Sequence, residues 1–197
     1  MASLRLAVAT RYWHSARIVI AAQIRPVEYL EPVGYLLAMS AELALKAFLM
    51  EGGVPEKNYS QGKVGHDLAA LLRLSVDHGL ELGELDAAAI LSMREAHSRH
   101  FLRYAPSDMS NELFVIALSD QEQSLVALGH LLDLVAGDPR MLRWQHQHPL
   151  DFEWPLALPP HTPVSRARLG NMIEEAAAYA QLVSNLPHQV GSKGSNQ

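Results

Sequence analysis

The sequence predicts an all-α fold: an up-and-down antiparallel helical bundle with a Pro- and aromatic-rich C-terminal arm and an extra helix. Three observations carry this. Alanine and leucine dominate while β-branched residues are sparse, which favours helix almost throughout. Apolar residues recur at intervals of three and four along most of the chain. Glycine and proline cut the pattern into long segments with short links, which makes sequential helices antiparallel neighbours. With 197 residues, 49% of them hydrophobic and 19% charged, the chain can bury a core and suits one domain with an appendage.

The first helix is expected from about Ser3 to Ile24, with Leu4, Val8, Tyr12, Ala16 and Val19 on one face. Arg25-Pro26 ends it, because the residue before proline avoids the helical region. The second begins near Pro32, carries Tyr35, Met39, Leu43, Ala47 and Met50 on one stripe, and stops at Gly52-Gly53. After a polar loop, Gly65-His66-Asp67 opens a third helix with Asp67 as N-cap; it buries Leu68, Leu71, Leu72 and Val76 and closes at Gly79. The fourth spans Glu84 to Tyr104, with a stripe of Ala87, Ile90, Met93, His97, Phe101 and Tyr104 before Pro106. Asn111 to Leu118 reads equally as extended chain or short helix. Ser119 and Glu122 make a capping box for a fifth helix ending at Ala136, before Gly137. These elements form a bundle over residues 1–137. Residues 138–163 form the arm, with Trp144, Phe152 and Trp154 among six prolines. Thr162-Pro163 caps a last helix to about Leu186, so that residues 138–186 make up the appendage and 187–197 a flexible tail.

Composition excludes several functions. A net charge of −5 disfavours non-specific coating of nucleic acid, which rests on many Lys/Arg–phosphate contacts. The absence of cysteine removes disulfides, thiolate metal sites and thiol nucleophiles. Arg5, Arg11, His14 and Arg17 interrupt the N-terminal apolar stretch, so no signal peptide is read. Tyr35 to Met50 carries Glu42 and Lys46 and is too short for a bilayer. A soluble, cytoplasmic protein without a membrane role is expected.

Three segments carry a family resemblance. Ala41 to Val54 (AELALKAFLMEGGV) holds a Glu-x-x-x-Lys helix ending in glycine. Gly65 to Leu72 (GHDLAALL) holds a Gly-His-Asp-Leu helix start, and Phe101 to Pro106 (FLRYAP) an Arg-Tyr-Pro-like ending with Ala105 interposed. In this order they resemble the HEPN domain family of prokaryotes, small helical bundles tied to nucleotide and RNA biology. The resemblance covers roughly residues 10–136. Physical chemistry reads two of the segments without function. Glu42 and Lys46, one turn apart, suit a helix-surface pair worth about 0.2–0.5 kcal/mol. The His66-Asp67 start offers an acceptor and a negative charge to a helix N-terminus.

Catalytic members of the family resemble metal-independent endoribonucleases that use an Arg and a His separated by four to six residues, paired across a dimer. Arg94 and His100 fit that spacing, as do Arg73–His78, Arg140–His146 and Arg143–His148. Helix placement favours Arg94–His100. A histidine can move the 2′-hydroxyl proton, and an arginine can hold a crowded phosphate. Six residues along a regular helix place the two side chains about 120° apart, so a kink or a dimer mate is required. Glu95 follows Arg94 and partly offsets its charge. Arg99, Arg103 and Tyr104 complete a locally basic surface for ligand binding.

The resemblance therefore implies a homodimeric, nucleotide- or RNA-associated accessory protein of a defence or toxin–antitoxin-like system, without strong catalytic activity. Two alternatives stay open: an endoribonuclease acting through Arg94 and His100, and a non-catalytic module docking a partner protein through its aromatic arm. No cofactor and no metal site are expected. His97, inside an apolar stripe, reads as a hydrogen-bonded core histidine. His146, His148, Asp151 and Glu153 crowd together in the arm, but His-x-His recurs by chance in a histidine-rich chain.

Overall fold

The computed structural model describes residues 4–22, 30–61, 64–94, 97, 121–137 and 161–184. The chain is an all-α helical bundle. Its described helices are α1 (Leu4–Ala22), α2 (Leu30–Glu51), α3 (Leu68–Asp77), α4 (Glu84–Ser92), α5 (Gln121–Ala136) and α6 (Arg166–Ser184), with a 3₁₀ turn at Glu56–Asn58. The central helix is α2, which packs on α1, α3 and α5; α5 also meets α1 and α4, and α6 lies on α3 and α4. The first two helices run antiparallel. Arg5, early in α1, pairs with Glu56 and donates to Tyr59 Oη (3.2 Å) just beyond the end of α2. Further along α1, the Tyr12 ring meets that of Tyr35, near the start of α2, edge to face at 6.3 Å.

Helix α1 buries a different face from the expected one. Leu6, Ala9, Trp13 and Ala16 are buried, whereas Leu4 is 78% exposed. The helix is apolar on most sides, so periodicity does not select a face. Trp13 does: it is the largest side chain to bury, and its indole N–H donates to the Leu125 carbonyl of α5 at 2.7 Å. Helix α2 departs further from a single stripe. Val33, Leu37, Ala38, Ala41, Ala44, Leu45, Ala47 and Leu49 are buried together with Ser40, Glu42 and Lys46, and Met50 faces out. A helix flanked by three others is buried nearly all round. Residues 31–51 are also longer than the stretch read from sequence, and by length and composition alone could cross a bilayer, yet 67% of that span is buried inside the fold.

Helix α3 follows expectation. Asp67 caps it, accepting from the amides of Ala69 (2.9 Å) and Ala70 (3.4 Å), and Gly79 closes it at φ +95°. Helix α4 is shorter than expected. It tightens at Met93, whose amide bonds back three residues to Ile90 O (3.2 Å), while Ser92 Oγ engages Ala89 O (2.7 Å). Helical backbone resumes at Arg94 and His97; the expected continuation to Tyr104 lies outside the described residues. So do Asn111 to Leu118, Ser119, the arm to residue 160 and the tail. The last helix starts later than Thr162-Pro163. Pro163 pairs with Gly83, and the Val164 amide donates to Leu82 O (2.8 Å), which holds this segment extended. Ser165 is the cap instead, its hydroxyl accepting from the Arg168 amide (3.2 Å). Arg168 then clasps Glu84 at the start of α4 (2.6 Å).

Trp13→Ala is expected to lower the unfolding free energy by about 3–5 kcal/mol, because it opens a cavity between α1 and α5 and removes the indole bond to the Leu125 carbonyl. Urea titration followed by far-UV circular dichroism checks this.

Candidate functional site

The site grows from one residue. Glu42 lies on the buried side of α2, only 3% exposed. A carboxylate taken from water must be hydrogen-bonded or lose its charge. Glu42 is supplied on both oxygens. Oε1 accepts from Lys46 Nζ at 2.7 Å, one turn along the same helix. Oε2 accepts from His97 Nε2 at 2.6 Å and from His66 Nδ1 at 3.1 Å. An ionised carboxylate only accepts, so each of these ring nitrogens carries the hydrogen. Burial pushes the Glu42 carboxyl up, but the bonds from His97, Lys46 and His66, with the Lys46 charge, outweigh it and hold it at about 2.

This corrects the reading of Glu42 and Lys46 as a surface pair. Lys46 is itself buried, and the two form the floor of a polar network. The sequence held the signal: a lone carboxylate and a lone ammonium amid Ala and Leu at positions that three neighbouring helices cover. His97 is buried and hydrogen-bonded as expected.

A second pair abuts the first. Asp67, besides capping α3, receives two parallel bonds from Arg94: Nε to Oδ1 and Nη2 to Oδ2, each 2.9 Å. This bidentate fork is the strongest geometry available to the two groups. Burial again raises the Asp67 carboxyl, and the Arg94 bonds and charge together with the two amides carry it below its usual range. Because His66 adjoins Asp67 and Arg94 lies one helical turn before His97, the two sets close a loop: Glu42, His66, Asp67, Arg94, His97 and back to Glu42.

Beside Arg94 opens a groove of about 330 Å³, lined by Asn58, Asp67, Arg73, Asp77, Arg94 and Ile173 among others. Arg73 is exposed and, among the described residues, makes no hydrogen bond or ion pair; it is the cation in the groove that remains available to a ligand. Of the residues singled out from sequence, Arg94 is placed here. His100, Arg99, Arg103 and Tyr104 lie outside the described residues, as do His146, His148, Asp151 and Glu153.

A separate cluster went unread in the sequence. His130 of α5 donates from Nδ1 to Asp86 of α4, at 3.1 Å to Oδ1 and 3.2 Å to Oδ2. One turn on, Asp133 is 5% exposed, and among the described residues neither of its carboxylate oxygens has a hydrogen-bond partner. Burial pushes its carboxyl up to about 6, against the opposing influence of His130. The signal was a His-x-x-Asp pair inside a leucine-rich helix.

The sign of the resulting pH dependence follows. The folded chain keeps a proton on Asp133 that the unfolded chain has released, so stability falls as pH rises from 3.8 through about 6. The penalty above that window is on the order of 3 kcal/mol. Asp133→Asn is expected to remove this decline. Urea denaturation of both proteins at about pH 4.5 and about pH 7.5 checks it, since the wild-type-minus-variant difference should change between the two.

Comparison with known proteins finds no matching family model, no matching curated protein and no matching solved structure.

Proposed function

We propose that the chain is a HEPN-like, nucleotide- or RNA-associated accessory protein, homodimeric and cytoplasmic, of a defence or toxin–antitoxin-like system, and that it works by binding rather than by strong catalysis. The observation that carries this reading is the Asp67–Arg94 fork. A phosphate-holding arginine must present its N–H groups to the substrate. Arg94 spends Nε and Nη2 on a carboxylate that also caps α3, and freeing it would break both bonds of the fork and leave the Asp67 carboxylate without its counter-ion. The adjoining groove offers Arg73 as a phosphate contact, with Asn58 to hydrogen-bond and Val64, Leu74 and Ile173 as apolar wall. That lining suits one nucleotide unit, and the acidic net charge of the chain suits selective over indiscriminate binding.

The test has two arms. Incubation with structured RNA in excess EDTA, beside His100→Ala, is expected to give no cleavage by either protein. Addition of mononucleotides or short oligoribonucleotides is expected to raise Tm, and Arg73→Ala to abolish that rise. Cleavage by the wild type but not by His100→Ala would replace this reading with the endoribonuclease. No cleavage and no nucleotide-dependent shift would favour the docking module. Sedimentation equilibrium at micromolar concentration is expected to show a dimer.

A further inference from the structure

From the convergence of Glu42, His66 and His97 we infer a structural binding site for a single divalent transition metal ion of the zinc–cobalt class, distinct from the nucleotide groove. One ligand atom from each of the three residues lies within 4.8 Å of the others. The individual approaches are tighter: Oε2 of Glu42 is 2.6 Å from His97 Nε2 and 3.1 Å from His66 Nδ1. Ligands held at about 2.1 Å around a tetrahedral ion sit roughly 3.4 Å apart. The two Glu42–imidazole pairs reach that spacing by opening less than about 1 Å, and the two ring nitrogens, within 4.8 Å of each other, complete the triad by a shift of the exposed His66 ring. Two imidazoles and a carboxylate form the donor set that borderline ions prefer.

Three features fit an ion better than hydrogen bonding alone. The donors come from three separate segments, namely α2, the turn before α3 and the helical turn at His97, so an ion would cross-link elements that the chain connects only through loops. Glu42 and His97 are buried while the His66 side chain is 57% exposed, which provides a route of entry and room for water as a fourth ligand. Lys46 engages the other oxygen, Oε1, fixing the carboxylate with Oε2 directed at the two rings, as an outer-shell partner does. The Lys46 charge also weakens attraction for a dication, so the affinity falls short of that of an all-neutral cage. On binding, each ring nitrogen gives up the hydrogen it now donates to Glu42, since a metal-ligating imidazole nitrogen must offer its lone pair.

The tag-free full chain, stripped with chelator, is titrated with Zn²⁺ by calorimetry and with Co²⁺ by visible absorption. The expected result is one ion per chain, a rise in Tm with saturating Zn²⁺, and Co²⁺ ligand-field bands of a low-symmetry site. His66→Ala, at an exposed position and checked by far-UV circular dichroism to fold as the wild type, is expected to weaken Zn²⁺ by more than the roughly 10–100-fold that loss of an outer-shell partner costs. Glu42→Gln should do the same where it folds. A His146→Ala/His148→Ala double variant should bind as the wild type does. Absence of one-to-one binding at tens of micromolar, retention of full affinity by His66→Ala, or loss of binding in the double variant would each overturn the assignment. Because none of these readouts involves RNA or nucleotide, failure here leaves the functional reading standing, and the reverse holds too.

Discussion

A carboxylate on the central helix of the bundle sets the terms for everything around it. Helix α2 is covered by α1, α3 and α5, and Glu42 sits at its buried centre. Left alone, such a charge would cost several kcal/mol or take up a proton. It is paired with three donors instead, and each donor fixes a piece of chain. Lys46 must turn inward and be buried with it. His66 must come back across the start of α3, which places Asp67 where it both caps that helix and meets Arg94. His97 must lie on the inner side of the turn that follows α4, which brings Arg94, one turn earlier, onto Asp67. Two ionic sets thus share one backbone frame. The arrangement specifies how α2, α3 and the turn after α4 meet more than it adds net stability, since a buried ion pair offsets desolvation only where every hydrogen bond is made.

This geometry bears directly on Arg94. Its spacing to His100 resembles a nuclease motif, and the residue does lie at a groove. Its guanidinium nevertheless makes a bidentate bond to a carboxylate that the fold needs for another purpose. Two of its donor nitrogens are thereby committed within the fold, and Arg73 is the exposed cation that lines the same groove. The chemistry-bearing residues of the described fold are for the most part committed to one another. Among the described residues, Asp133 stands apart as a carboxylate buried without a hydrogen-bond partner, and Arg73 as an exposed cation without an ion pair.

Much of the fold was legible in the sequence because the signals were local. The Asp67 cap, the positive-φ glycines that close α3 and α5, and the burial of Ala87, Ile90, Met93 and His97 all follow from short-range spacing. The misreadings share one cause, which is tertiary context. Nothing in α1 alone distinguishes the Leu6–Trp13 face from the Leu4–Tyr12 face until α5 presents its Leu125 carbonyl. Thr162 loses the capping role because Pro163 and Val164 pair with residues 82 and 83 across the bundle. The same holds for the site. The Glu42–Lys46 spacing looks like a surface pair on a helical wheel, and only the packing of neighbouring helices turns it into a buried hub. The Arg94–Asp67 and His97–Glu42 pairs span 27 and 55 residues, a separation that no periodicity encodes.

Glu42, His66, Asp67, Arg94 and His97 act as one closed unit. A double-mutant cycle between Glu42→Gln and Arg94→Gln tests it most directly, because these two side chains touch none of the same atoms and communicate only around the loop. Unfolding free energies of the wild type, both single variants and the double variant give the coupling. The account requires a coupling of at least about 0.5 kcal/mol, as found for residues that share a hydrogen-bonded network. Additivity within about 0.3 kcal/mol would mean that the two ionic sets are independent neighbours, and would contradict it.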